Sequence, residues 1–368
     1  MNLNYLLYFI FQIMKKWILF SLMTAAVMSS CSSDENGATD EITGTRAISI
    51  DAFVPKMQKG ADATTAALAS GINIYAYKTG TPYGASPFMD NVIFKKSGTY
   101  WTSTPLYYWP MYPIDFFGYY PSTVKPTDLA EPTTFNYTVD PDVAKQNDVV
   151  TSYMGKQERE VVQMLYHHAL SKISFTFTTV GGSGLNVTVE SVSMKNIPMS
   201  ATFALDTTAK KVPDYFKITN QAPVSPSTGI AKYTLQSPLV VTAGASNVTS
   251  APVTGFYLIP HALVNWTYDA ATAYPMTGTY INIYGSFTGV TDYVGNIAIP
   301  ITTKAWQPGY HYTYNIVFGN AGGATGGGGY NPDKGTDGGK KPEQILMPIQ
   351  VNVSVDEWIP VDEPSVDL

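Results

Sequence analysis

The amino-acid sequence predicts an all-β protein with two tandem β-sandwich domains, and three observations lead to this prediction. The 368 residues include 26 tyrosines, 30 glycines and 25 prolines, a composition that favours strands and turns over helices. Short segments of alternating apolar and polar residues recur between turn residues. The length exceeds that of one typical domain, so we expect two hydrophobic cores.

Residues 1–30 have the pattern of a lipoprotein signal peptide. Two apolar stretches, 3–13 and 17–28, are separated by two lysines, and each is too short to span a bilayer of about 30 Å. The second stretch fits a signal peptide that ends before Cys31, with Met14 or Met1 as its start. Because Cys31 is the sole cysteine, no intramolecular disulfide can form, and we expect this residue to carry a lipid. An ordinary signal peptide cleaved nearby is the alternative.

Residues 31–46 form a predicted spacer between the lipid and the folded part of the protein. The segment consists mostly of small, polar and acidic residues and lacks apolar periodicity, so we expect it to be accessible to proteases. Arg46 is its only basic residue and directly precedes a strictly alternating segment. One cut between Arg46 and Ala47 would therefore separate the folded part from its anchor.

The alternating segment after Arg46 predicts an outermost first strand over residues 48–54. Ser49 and Asp51 lie on its polar face, which is the pattern of a half-buried strand. The apolar face consists of Ile48, Ile50, Ala52 and Val54.

Further strands are predicted on both sides of a glycine-rich junction near residue 182. The N-terminal domain, 47–182, should contain strands at 71–77, 106–109, 114–119, 135–139 and 171–180, with a short helix or loop within 140–163. The C-terminal domain, 183–368, should contain strands at 187–194, 201–205, 232–241, 255–259, 279–287, 296–301 and 310–318.

The C-terminal part of the chain combines a predicted linker with a predicted final strand. Residues 319–340 contain ten glycines in 22 positions and are predicted to be a flexible linker. The segment 345–358 follows, and within it the alternation is again strict. Its apolar face consists of Ile349, Val351, Val353 and Val355.

The sequence favours neither catalysis nor a bound cofactor. The net charge of −6 and the lack of a basic patch argue against nucleic acid as a partner. The pair His167 and His168 has no third ligand at metal-site spacing, and we expect packed or hydrogen-bonded histidines. No nucleophile elbow, phosphate loop or calcium loop is present, so we predict that the protein is not an enzyme and has no cofactor.

Several motifs resemble those of the fimbrillin family of pilus subunits, the type V pilins of Gram-negative anaerobes. Together they extend over nearly the whole chain after the spacer. They are Trp101-Thr102-Ser103-Thr104-Pro105, Tyr108-Trp109-Pro110, Asp115-Phe116-Phe117-Gly118-Tyr119-Tyr120-Pro121, His168-Ala169-Leu170-Ser171-Lys172-Ile173, Tyr257-Leu258-Ile259-Pro260, Trp306-Gln307-Pro308-Gly309 with Tyr310-His311-Tyr312, and Val355-Asp356-Glu357-Trp358.

The resemblance implies a structural or adhesive subunit of a cell-surface fimbrium with transthyretin-like or immunoglobulin-like domains. It further implies export to the outer membrane as a lipoprotein and cleavage after Arg46 by an arginine-specific extracellular protease. Assembly with other pilin subunits would follow by strand exchange, with residues 48–54 displaced and residues 349–355 donated. A host protein or glycan is the implied receptor.

Two alternatives remain open from the residue pattern. Both terminal strands can simply complete their own domains, because every sandwich has edge strands. The aromatic cluster at residues 101–120 can pack in a core, or it can stack on sugar rings in a monomeric, glycan-binding surface lipoprotein. The sequence does not distinguish a stalk, anchor or tip subunit.

Overall fold

Alternating and aromatic-rich segments of the sequence form the strands that build the fold. The computed structural model describes residues 46–54, 65–80, 82–84, 86–221, 229–241, 253–263, 278–289, 292–301, 303–319, 329–331, 344–346 and 349–357. These residues belong to a unit that begins at Arg46. The predictions for residues 1–45 therefore lie outside the described residues.

The described residues contain 21 strands and very little helix. Thr65–Leu68 forms one α-helical turn, α1, and Val143–Lys145 forms one 3-10 turn. The strands, numbered in chain order, are β1 (Ile50–Phe53), β2 (Ile72–Lys78), β3 (Met89–Ser97), β4 (Tyr100–Ser103), β5 (Ile114–Tyr120), β6 (Thr134–Thr138), β7 (Val150–Gln157), β8 (Val162–Leu165), β9 (His167–His168), β10 (Ser171–Thr179), β11 (Asn186–Lys195), β12 (Ser200–Leu205), β13 (Phe216–Thr219), β14 (Ile230–Val241), β15 (Val253–Leu258), β16 (Tyr280–Thr288), β17 (Tyr293–Pro300), β18 (Tyr310–Phe318), β19 (Gly329–Tyr330), β20 (Gln344–Leu346) and β21 (Ile349–Glu357).

The N-terminal strands form an eight-stranded sheet in the order β8-β1-β4-β3-β2-β5-β7-β9. Only residues 158–161 join β7 to β8, so the sheet curls until strands near its two ends approach each other. The enclosed core contains Ile50, Ile74, Trp101 and Val162.

At the central strands β2 and β5 the other face of this sheet is buried as well, against the core of the C-terminal strands. In β2, Ile74 and Ala76 point into the N-terminal core, whereas Tyr75 and Tyr77 belong to the second, larger core. Because both faces are buried, β2 and β5 are nearly continuous runs of apolar residues and do not alternate with polar ones.

The C-terminal strands form a four-stranded sheet in the order β15-β10-β18-β21 and a six-stranded sheet in the order β14-β11-β16-β17-β19-β20. Side chains of both sheets meet in one core, and the rings of Phe287 on β16 and Phe318 on β18 lie 5.9 Å apart. This arrangement is a β-sandwich. A three-stranded sheet, β13-β12-β6, packs on the same core through Phe203 and Phe135.

The all-β class is confirmed, but several predicted elements are wrong. Residues 106–109 form no strand and make only the isolated bridge from Tyr108 to Ala47, because prolines flank the segment. Residues 140–163 contain a short helix as predicted, the 3-10 turn at Val143–Lys145, but they also contain β7 and the start of β8, which were not predicted. The predicted outermost position of β1 is also wrong, since this strand lies between β4 and β8.

The predicted boundary near residue 182 stays a prediction. β10 precedes it but pairs with β15 and β18 of the C-terminal sheet. β6 likewise precedes it and pairs with β12. Within the predicted linker, Gly329 and Tyr330 form β19, which pairs with β17 and β20.

Gly285 on β16 provides a test of this sandwich. A Cβ atom there would overlap the carbonyl oxygen of Thr188 and lie 3.2 Å from the Cα of Val189, and backbone atoms cannot easily move aside. We expect Gly285→Ala to lower the free energy of unfolding by about 1–3 kcal/mol, measured by urea denaturation. Gly181→Ala is the control, because nothing lies within 4 Å of its added Cβ. Equal stability of the two variants would contradict the close approach of β16 to β11.

Candidate functional site

The segment that follows Arg46 lies in a groove between two parts of the N-terminal sheet. On one side, β1 pairs in parallel with β8, from Ile50 opposite Val162 to Phe53 opposite Leu165. On the other side, Ile50 pairs antiparallel with Trp101 of β4. The groove is therefore formed by β8 on one side and by β4 with the following loop on the other.

The apolar face of this segment is completely buried, as the alternation predicts. Ile48, Ile50 and Ala52 are 0% exposed, and Val54 is 3% exposed. All four belong to the N-terminal core. Burial of each large aliphatic side chain contributes about 1.5–3 kcal/mol, so removal of this segment would expose an apolar groove with unpaired backbone groups.

Arg46 contacts both sides of the groove, although its side chain is exposed. The N–H of Trp109 donates to the carbonyl oxygen of Arg46 at 3.1 Å, and the N–H of Ile48 donates to the carbonyl of Tyr107 at 2.8 Å. The Nη1 atom of Arg46 donates to the carbonyl oxygen of Arg159 at 3.0 Å, in the turn between β7 and β8. Sequence reasoning missed these partners, because all three are backbone groups and no residue type in the sequence marks them.

The last described strand, β21, lies in a different sheet from β1. It forms one edge of the four-stranded sheet and pairs antiparallel with β18 along its whole length, from Ile349 opposite Phe318 to Glu357 opposite Tyr310. In this state the strand completes a sheet of its own chain, and the structure does not bring the two predicted exchange strands together.

The apolar face of β21 is buried only near its start. Ile349 is 0% exposed, Val351 and Val353 pack partly against the core, and Val355 is 49% exposed. A strand at a sheet edge has one neighbour, so its departure breaks one ladder of hydrogen bonds and leaves the remaining strands paired.

His167 and His168 make packing and hydrogen-bond contacts within the fold. His168 Nδ1 lies 2.7 Å from Asp148 Oδ2, and both side chains are buried. The neighbouring His167 stacks on Tyr215 with ring centroids 3.6 Å apart. Burial, and secondarily the charge of His168, lowers the pKa of His167 to about 4, so this imidazole is neutral at physiological pH. The described residues contain no group of three potential metal ligands.

Most rings of the aromatic cluster at residues 101–120 are core residues. Trp101 and Tyr119 are 1% exposed, and Phe117 is fully buried, so these rings offer no face to a sugar. They pack edge to face with neighbours, as Tyr75 and Tyr119 do at 5.8 Å between centroids. Tyr108 is 47% exposed, next to Ala47.

Cys31 and the rest of the predicted signal peptide and spacer lie outside the described residues. Among the residues that are described, no helix is both long and apolar enough to cross a bilayer.

This geometry defines a class of protein: a β protein of several sheets, with a buried first strand and a last strand at a sheet edge. A profile of the fimbrillin-like family matches residues 61–331, which is more than half of the chain. The protein therefore belongs to the fimbrillin-like family. The resemblance seen in the sequence motifs is thereby confirmed. A search of curated proteins found no match.

Solved structures with a similar course of the chain include proteins from Bacteroides and Porphyromonas species. A candidate cell adhesion protein from Bacteroides uniformis is 15% identical, with 86% of this chain and 100% of that chain covered and a TM-score of 0.46. A fimbrial protein from Bacteroides vulgatus is 16% identical, with 84% and 99% covered and a TM-score of 0.43. A fimbrilin (FimA) from Porphyromonas gingivalis is 12% identical, with 86% and 98% covered and a TM-score of 0.44.

Proposed function

We propose that this protein is a structural or adhesive subunit of a cell-surface fimbrium and that its subunits join by strand exchange. In this proposal, β21 of one copy replaces residues 48–54 in the groove of another copy. The observation that carries the proposal is the fully buried, alternating face of Ile48, Ile50 and Ala52, which directly follows Arg46. Membership of the fimbrillin-like family supports the same function.

The two strands have matching apolar faces. Residues 48, 50, 52 and 54 are Ile, Ile, Ala and Val, and residues 349, 351, 353 and 355 are Ile, Val, Val and Val. An incoming strand of this spacing would restore both the backbone ladder and the apolar contacts of the groove. Exchange then replaces one set of buried contacts by a similar set, and the nine-residue length of β21 is sufficient for the described 46–54 segment.

Maturation in this proposal begins with a lipoprotein. Cys31 carries the lipid that holds the precursor at the outer membrane, and an arginine-specific extracellular protease cuts the Arg46–Ala47 bond. The cut leaves residues 48–54 in the mature chain but frees their N-terminal end. A strand without a tether at one end can peel out of its groove and give way to a donor strand.

The Cys31→Ala variant tests the membrane anchor. Only the thiol can form the thioether to the lipid, so we expect this variant to lose incorporation of a fatty-acid probe completely and to be missing from the outer-membrane fraction. Ser32→Ala is a matched control and should be labelled like the wild type. Equal labelling of Cys31→Ala and wild type would contradict lipidation at this residue.

N-terminal sequencing of surface filaments purified from the native bacterium tests the proposal as a whole. We expect the protein in the filaments to begin at Ala47. Recovery of this chain solely as a monomer with a lipidated Cys31 would instead favour the glycan-binding alternative.

A further inference from the structure

We propose that the folded precursor withholds its own cleavage site, so that cutting after Arg46 proceeds only through a locally opened state. This inference rests on the proposed function, because it concerns the regulation of the same maturation step. It assigns a positioning role to the backbone of Arg159 and to the loop that contains Tyr107 and Trp109.

An arginine-specific protease must bind two groups of its substrate. It recognises the guanidinium in a specificity pocket, and it polarises the carbonyl oxygen of the bond that it attacks. In this chain the guanidinium of Arg46 already donates to the carbonyl of Arg159 at 3.0 Å. The carbonyl oxygen of Arg46 already accepts from the N–H of Trp109 at 3.1 Å. Both groups that the protease needs are therefore engaged within the folded protein.

The residues after the cleavage site are held equally firmly. The antiparallel bridge between Ala47 and Tyr108 consists of the bond from Trp109 to Arg46 and a second bond, from the N–H of Ile48 to the carbonyl of Tyr107 at 2.8 Å. Proteases bind their substrates as extended strands, so this bridge competes with the protease for the same backbone groups. The side chain of Ile48 is fully buried and opposes displacement of the segment.

The contacts of Arg46 also connect cleavage to the release of the first strand. Its carbonyl is held by the loop after β4, and its guanidinium is held by the turn before β8, so one residue bridges both sides of the groove. Hydrolysis adds water across the bond between the carbonyl carbon of Arg46 and the nitrogen of Ala47. The products are a carboxylate on Arg46 and an ammonium on Ala47. Arg46 then leaves with the spacer, and both bridging contacts are lost in one step.

Arg159 allows the bridging contact to be altered without removing Arg46. Its backbone is left-handed, with a φ of 58°, and this conformation directs its carbonyl oxygen. Asparagine tolerates this conformation, whereas proline fixes φ near −65° and forces the carbonyl to move. Arg159→Asn thus keeps the acceptor and also leaves Arg46 as the only arginine of the chain. Arg159→Pro displaces the acceptor and has the same arginine count.

The first measurement compares cleavage of the full-length Arg159→Asn chain with cleavage of a synthetic peptide of residues 41–52. An arginine-specific protease is the probe, and kcat/KM at the Arg46–Ala47 bond is determined for both substrates by mass spectrometry. We expect the folded chain to be cut at least about tenfold more slowly, because local opening must come first. Equal values of kcat/KM would overturn the proposal.

The second measurement compares Arg159→Pro with Arg159→Asn in the folded full-length chain. We expect Arg159→Pro to be cut about two- to tenfold faster, the change that corresponds to the loss of one hydrogen bond. Equal rates in two folded variants would overturn the role of the Arg159 carbonyl. If Arg159→Pro does not fold, hydrogen exchange of the Trp109 backbone N–H in Arg159→Asn replaces this comparison. The protection factor of that N–H should match the factor by which folding slows cleavage, and an unprotected N–H would overturn the proposal.

Failure of this inference is distinct from failure of the proposed function. The cleavage rates measure how far the fold protects the Arg46–Ala47 bond from the protease, whether or not filaments form afterwards. A chain that is cut slowly after Arg46 and then stays monomeric would support withholding and refute assembly by strand exchange. A chain that is cut as fast as the peptide and then forms filaments would do the reverse.

Discussion

We expect the double substitution Val351→Asp with Val353→Asp to abolish filament formation by the cleaved chain. Both side chains lie on the face of β21 that would enter the groove of the next subunit. Two carboxylates buried without partners cost several kcal/mol even after their pKa values rise to neutralise them. This cost is comparable to the gain from burying the remaining apolar side chains of the strand. Electron microscopy of cleaved protein measures filament number and length.

The matched control introduces the same two charges on the opposite face of the same strand. Asn352 and Ser354 are both exposed, so Asn352→Asp with Ser354→Asp should leave assembly close to the wild-type level. Urea denaturation of each monomer must accompany the experiment, because Val351 and Val353 also pack against the core of their own chain. Filaments of normal length from a folded Val351→Asp, Val353→Asp chain would show that β21 is not the donor.

Deletion of residues 345–368 separates donor from acceptor roles in the same assay. A chain without β21 retains the groove around β1 but has no strand to donate. Mixed with cleaved wild-type protein, it should therefore cap filaments and shorten them. If the deletion variant assembles alone as well as the full chain does, the last strand serves only its own sheet.

We expect Arg46→Ala to eliminate maturation and to leave the protein monomeric. The substitution removes the side chain that the protease recognises, so the spacer stays attached and residues 48–54 remain in their groove. The fold should be nearly unaffected. The one side-chain hydrogen bond that is lost, to the carbonyl of Arg159, is exposed and contributes about 1 kcal/mol or less.

Mass spectrometry and size-exclusion chromatography after protease treatment measure this result. Arg159→Asn is the control, since it removes the other arginine and leaves the cleavage site between Arg46 and Ala47 unchanged. That control should be cut and should assemble. Wild-type amounts of protease-dependent filaments from Arg46→Ala would show that cleavage at this residue does not trigger assembly.

Local patterns in the sequence predicted many of the strands well. Strand β18 has the predicted bounds of 310–318, and β11, β14 and β16 differ from prediction by two residues or fewer at each end. These strands are long and bounded by turn residues, so period and propensity agree. Strand β7 was missed because its eight residues, Val150–Gln157, do not alternate regularly between apolar and polar, and β8 was missed because four residues are too few to show a clear period.

Which strands are neighbours could not be predicted in the same way. β1 carries the alternation of an edge strand but pairs in parallel with β8, a partner more than 100 residues later in the chain. β10 and β18 likewise pair in parallel although Thr179 and Phe318 lie far apart in sequence. A parallel pair has no short hairpin and hence no local turn signal that identifies the partner.

The sequence by itself determined the all-β class, the sole cysteine, the two arginines and the apolar faces of residues 48–54 and 349–355. These properties depend on composition and on the two-residue period of a strand, both of which are local. The tertiary structure alone decided that β1 lies between two strands, that β21 is a sheet edge and that Arg46 is held by Trp109 and Arg159. The physical reason is that each of these contacts is a hydrogen bond to the backbone of a distant segment, 113 residues away for the bond from the Arg46 side chain to the Arg159 carbonyl, and only packing of the whole core brings these segments together.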